Sequence, residues 1–221
     1  MESKINGRNK MNKQMVGGIR LNRSNLINSG ENYRLNNNEV SFILVGDFGV
    51  KDKPHLGSSA VRNEINKLIE NEGIHYTVHL GDVYYAGTIA EEQMFEAVWT
   101  TGTHGSFAVN SNHEMFSGAK GYQKVLLRSP KLSLQNQNHS FLLENDYWMI
   151  VGLDSAVLSS FSSLFGEGRI KDPMQIEMLH IARKSMKKII VFSHHNPVQY
   201  ITKIQRKLIC SKYFHTQTYL F

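Results

Sequence analysis

Four short segments place metal-ligating and acid–base side chains directly after apolar runs. They are Gly46-Asp47-Phe48-Gly49, Gly81-Asp82-Val83-Tyr84-Tyr85, Asn112-His113-Glu114 and Ser193-His194-His195. Carboxylate and amide oxygens together with imidazole nitrogens form a donor set suited to zinc, manganese or iron. A carboxylate shared by two such ions holds them about 3.5–4 Å apart, the spacing that clamps attacking and leaving oxygens in phosphoryl transfer. An imidazole beside such a centre can act as general acid or base near neutral pH. Cys210 is the only cysteine, so no thiolate cage and no intrachain disulfide can form, and a metal must be held by oxygen and nitrogen.

These residues need strand ends to position them, and the pattern supplies candidates. Val40–Val45 reads as a strand covered on both faces, because it is apolar almost throughout. Tyr76–Leu80 and Ser106–Val109 are two further short β-branched and aromatic runs. Between them, a helix from Ser58 or Ser59 to Glu70 would turn Val61, Ile65 and Leu68 inward. A second, over 90–99, would bury Met94, Phe95 and Val98. The order β-α-β-α-β argues for parallel strands with right-handed crossovers, whose carboxyl ends border a ligand crevice in open α/β sheets. Residues 115–139 read as irregular. Asn145-Asp146 between two apolar runs signals an antiparallel hairpin, and 155–172 reads as a long surface loop. A helix opens at Asp172 or Pro173 and runs to Lys184, and a strand covers Lys188–Phe192. The fold class expected is therefore an α/β sandwich with mixed parallel and antiparallel strands.

The chain has 221 residues, 41% hydrophobic and 20% charged, which suits one soluble domain. Residues 1–39 are polar and aperiodic, with seven Lys/Arg against three Glu. They are expected to be a disordered basic arm ahead of a domain over 40–221. Residues 181–221 carry eight Lys/Arg and no acid, so the overall net charge of +6 conceals a middle that is net acidic. Basic ends alone, without a nucleic-acid motif, do not argue for nucleic-acid binding. No run approaches the ~20 apolar residues of a membrane span, and no Sec-type leader is recognisable, so a cytoplasmic location is the default expectation. Ile201, Ile204 and Leu208 with neighbouring basic residues fit a short amphipathic helix. His75 and His79, in or beside a strand, are expected to be packing residues, and His104 lies in a loop.

The four segments, with Val191-Phe192 leading into the last, resemble four of the five sequence blocks of the calcineurin-like metallophosphoesterases. Their Gly-Asp-x-Gly and Gly-Asp-x-x-Tyr forms are most similar to the purple acid phosphatase branch, and the resemblance spans about 40–197. It implies a dinuclear hydrolase that attacks a phosphoester with a metal-bound hydroxide, using two ions drawn from Fe, Mn and Zn. Asp47 and Tyr85 would bind the first metal, Asp82 would bridge both, and Asn112 and His194 would bind the second. His113 would protonate the leaving oxygen, His195 would touch substrate, and Asp154 resembles a recurrent structural piece of the fold. Substrates would be phosphoesters, small or on a larger molecule.

Two departures stand out. Ser111 occupies a position where the family has Gly, and would be strained if that turn needs positive φ. The fifth block, Gly-His-x-His, is absent from the 26 residues after His195, and His215 lies in a different context. The expectation is a domain incomplete at its C-terminus, short of two ligands and some strands. The alternative function is accordingly an inert remnant with residual metal or phosphate binding.

Overall fold

The computed structural model describes residues 33–35, 38–48, 56–196, 198–201, 205–208 and 218–220. The βαβαβ half forms as the pattern implies. Strand β2 (Phe42–Val45) is followed by helix α1 (Leu56–Glu72), β3 (Tyr76–His79), α2 (Ile89–Val98) and β4 (Gly105–Ala108), and the strands pair in parallel in the order β2-β3-β4. Central β3 is buried at every position, whereas β2 is half-buried throughout, contrary to the expectation of cover on both faces. Helix α1 begins upstream of Ser58 and Ser59, so neither caps it. Ile65 points into the core, but Val61 is exposed. Helix α2 is opened by a capping box between Thr88 and Glu91, which also sets Glu92 and Phe95 inward.

The segment 112–135 is built from short turns of helix: α3 (Asn112–Met115), α4 (Lys120–Lys124) and 3-10 turns at Leu126–Arg128 and Pro130–Gln135. The hairpin signal at Asn145 is realised. Strands β5 (Phe141–Glu144) and β6 (Trp148–Leu153) pair antiparallel, with Asn145 Oδ1 accepting from the backbone N–H groups of Tyr147 and Trp148. Helix α5 (Pro173–Lys184) starts where Asp172 caps it and Pro173 needs no hydrogen bond of its own, and it leads to β7 (Lys188–Ser193), parallel to β6. Within 155–172 a 3-10 turn forms at Phe161–Ser163.

The second sheet is mixed, in the order β1-β5-β6-β7-β10, where β1 is Tyr33–Arg34 and β10 is Thr218–Leu220. Ordered pairing thus begins upstream of Val40, with Leu35 buried behind β1. Residues 1–32, the bulk of the expected disordered arm, lie outside the described residues, as does His215. β10 runs along the far edge of β7. The segment expected to be an amphipathic helix is instead an antiparallel hairpin of β8 (Val198–Ile201) and β9 (Gln205–Leu208).

Side-chain alternation glues these layers together. From the second sheet, Phe141, Leu143, Ile150 and Phe192 face Tyr76, Val78 and Phe107 of the parallel sheet. The residues one step along, Leu142, Met149, Val151, Ile189 and Val191, face Met178, Leu179 and Ala182 of α5. The result is an α/β sandwich of mixed strands. No described helix is long and apolar enough to cross a membrane.

Candidate active site

The carboxyl ends of β2, β3 and β4 lie side by side, because the ladder continues past the strands, and the end of β7 in the other sheet meets them through His194. Asp47 N–H donates to the Gly81 carbonyl (3.1 Å), Leu80 N–H to Val45, and Val109 N–H to His79. Asp47 and Asp82 both adopt left-handed backbone conformations, with φ of 54° and 57°. Asp tolerates that region better than most residues, and such backbone outliers gather at functional turns.

The Asp82 turn is gripped from below by the residues around Asn112. Ser111 caps α3, accepting the His113 N–H, and its Oγ also accepts the Asp82 N–H (3.0 Å) and contacts the Asp82 and Glu114 carboxylates. Glu114 accepts the backbone N–H groups of Val83 (2.8 Å) and Asp82 (3.3 Å). Burial raises the Glu114 carboxyl pKa, while the hydrogen bonds from Ser111 and Val83 oppose that rise. The strain anticipated at Ser111 is absent: its φ is −128°, extended backbone that any residue adopts. Gly81 has φ +95°, and a Cβ there would stand 2.5 Å from Ser111 Cβ and 3.0 Å from His194 Nδ1.

On this base four side chains converge. His194 Nδ1 lies 3.0 Å from the Leu80 carbonyl, which can only accept, so Nδ1 carries the proton. Nε2 then faces Asn112 Oδ1 at 2.7 Å and Asp82 Oδ1 at 3.5 Å. His113 is oriented in the same way: its Nδ1–H donates to the Tyr85 carbonyl (2.6 Å), leaving Nε2 3.9 Å from Asp82 Oδ2. Asp47 stands exposed at the end of β2, and among the described residues its carboxylate forms no hydrogen bond or ion pair with these four. The Tyr85 ring is 73% exposed and meets His113 edge-on at 5.8 Å. Among the described residues no three His, Cys, Asp or Glu side chains are grouped to hold a metal ion. The third donor beside Asp82 and His194 is an amide oxygen.

His195 sits differently from its neighbour. Nε2–H donates to the Phe165 carbonyl (2.8 Å), and Nδ1 accepts from the Ser155 hydroxyl (2.8 Å). A substrate contact would require breaking one of these bonds; as it stands, the ring pins the 155–169 loop to the end of β7. Burial, and then the proximity of His194, lower its pKa.

Two buried groups brace the site from behind, and sequence reasoning gave them little or no part. Fully buried Asp154 accepts from Asn110 Nδ2 (3.1 Å), His139 Nδ1 (3.0 Å) and the N–H groups of Ala156 and Val157. It thereby ties the end of β4 to the end of β6. The only signal for Asn110 was its place directly after a buried strand. His79 accepts the Gly81 N–H at Nδ1 (3.1 Å) and packs against Phe95 and Trp99. Burial, then His194, depress its pKa to about 3, so it is a neutral prop beneath the Asp82 turn.

No protein-family model matches the chain, and no curated protein matches it. Among solved structures, the crystal structure of a dimetal phosphatase from Danio rerio is similar at 14% identity and a TM-score of 0.47, covering 73% of this chain and 72% of that one.

Proposed function

We propose that this chain is a metal-dependent phosphoesterase centred on Asp82, Asn112, His113 and His194. The reading rests on one observation, a focus of acceptors without a donor. With its Nδ1 proton given to Leu80, His194 turns the Nε2 lone pair toward two oxygens, Asn112 Oδ1 at 2.7 Å and Asp82 Oδ1 at 3.5 Å. Such an arrangement is relieved by a second proton on the ring, by an Asn112 amide turned to present its Nδ2–H, or by a cation among the three atoms. Imidazole nitrogen, amide oxygen and carboxylate oxygen are ordinary ligands of zinc, manganese and iron, and a carbonyl on the far ring nitrogen is the usual partner of a ligating histidine. The donor chemistry therefore fits one such ion at Asp82, Asn112 and His194. A second would take Asp47 and Tyr85, with Asp82 shared. When bound, the ions supply Lewis acidity toward a phosphoryl oxygen and activation of water.

The chain's own residues supply the rest. Ser111 and Glu114 hold the Asp82 turn, so the carboxylate is presented without reorganisation. His113, locked by the Tyr85 carbonyl, directs Nε2 toward the same space. Once the ring has taken a second proton from solvent at Nε2, it gives that proton to the oxygen of the departing alcohol and returns to the neutral Nδ1–H form. The substrate class is a phosphoester, whether a small molecule or a phosphorylated group on a larger one.

A second reading, metal or phosphate binding without turnover, is favoured by the separate positions of the Asp47 carboxylate and the exposed Tyr85 ring. Hydrolysis of p-nitrophenyl phosphate and its bis-ester, with Mn, Zn or Fe supplied and Asp82→Asn alongside, separates the two. Metal-dependent turnover that the variant loses is the expected result. A folded chain that binds metal yet turns over neither ester would establish the second reading instead.

A further inference from the structure

We propose that an aromatic strip beside His113 is the leaving-group subsite, and that the preferred phosphoesters carry a planar aromatic ring on the departing alcohol. This rests on the assignment of His113 as the group that protonates the leaving oxygen. The His113 ring is the start of a continuous series of ring contacts. Phe116 lies 5.0 Å from it, Phe165 lies 6.2 Å from Phe116, and Phe161 lies 5.6 Å from Phe165. Phe165 is buried and forms the floor, while Phe116 and Phe161 are 39% and 50% exposed and Leu164 is 62% exposed. An oxygen within reach of His113 Nε2 can turn its organic group toward Phe116, whose ring centre stands 5.0 Å from that of His113.

The strip is built rather than incidental. Phe165 gives its carbonyl to His195 Nε2–H, and its N–H goes to the Ser160 carbonyl (3.0 Å). Arg169 N–H closes the loop onto Ser155 (2.8 Å). The loop carrying Phe161 and Phe165 is thus tied to His195, the residue next to His194, while Phe116 is carried by the end of α3. Exposed, preorganised aromatic faces bind flat rings by offset or edge-on stacking, with little entropy left to lose.

The test compares 2-phenylethyl phosphate with butyl phosphate, two primary alkyl esters whose leaving oxygens are chemically alike. It is paired with calorimetric binding of 2-phenylethylphosphonate and butylphosphonate in the presence of Mn. About a tenfold preference for the phenyl compounds is expected in kcat/KM and in affinity. Phe116→Ala and Phe161→Ala should shrink that ratio, and Tyr147→Ala, on the distant β5–β6 turn, should not. Turnover of both esters at one rate, with a ratio indifferent to Phe116, would overturn the subsite and leave the phosphoesterase reading standing. No turnover of either ester, but a phenyl preference in phosphonate binding that Phe116→Ala abolishes, would sink the enzyme and keep the aromatic site. Neither turnover nor preference would end both.

Discussion

Glu92 offers a quantitative test of how the α2–α4 packing beneath the site is built. Its side chain is fully buried, and neither carboxyl oxygen has a hydrogen-bond partner. Gly121 of α4 lies so close that a Cβ there would stand 2.5 Å from Glu92 Cγ. Burial, then the charges of Glu114 and Glu91, raise the pKa from 4.5 to about 9. The folded protein therefore holds a proton that the unfolded chain releases above about pH 4.5. Stability from this group is complete below that pH and declines as pH rises toward 9, by about 1.4 kcal/mol per unit. His79, whose pKa falls from 6.5 to about 3, acts in the opposite sense: its contribution is present above pH 6.5 and lost as pH falls toward 3. Glu92 is therefore read cleanly only above pH 6.5. Urea unfolding of the wild type and Glu92→Gln at pH 6.5, 7.5 and 8.5 should show the variant gaining on the wild type by about 3 kcal/mol across the series. The glutamine matches the neutral acid in shape, so any constant offset from the amide does not disturb the slope. Parallel curves for the two proteins would refute a protonated Glu92.

Three further outcomes follow from the site. Asp82→Asn keeps a residue that tolerates φ near 57° but removes the charge, so Mn binding by calorimetry should weaken at least tenfold while the melting transition survives. Ser111→Ala deprives the Asp82 and His113 N–H groups of their shared acceptor; a loss of about 1–3 kcal/mol in urea unfolding is expected, and no loss would show that water replaces the hydroxyl. Gly81→Ala adds a Cβ 2.5 Å from Ser111 at φ +95°, and should cost about 3 kcal/mol of stability together with metal affinity.

Much of this architecture was legible before any coordinates. The β3 run with its Gly stop, the Asp172-Pro173 helix start and the Asn145 hairpin are local signals. Their chemistry acts within a few residues, through a cap, a missing N–H or a side-chain acceptor at a turn. Where the reading went astray, non-local partners decided. Val61 belongs to the apolar stripe of α1 yet is exposed, since periodicity does not say how much of the stripe is covered. The Ile201–Leu208 spacing suits a helix, but cross-strand pairing makes it a hairpin.

The candidate site divides the same way. Residue types and their order after apolar runs single out Asp47, Asp82, Asn112, His113 and His194, because only such side chains can hold cations or move protons. Tertiary structure alone decides which of them meet. Asn112 and His194 touch although 82 positions apart in the chain, His195 turns to the loop instead, and Ser111 becomes a clamp at a turn where positive φ would have strained it. Hydrogen-bond direction is the physical reason. Which ring nitrogen faces the centre depends on the carbonyl that claims the other, and those carbonyls, at Leu80 and Tyr85, are placed by the packing of separate strands and turns.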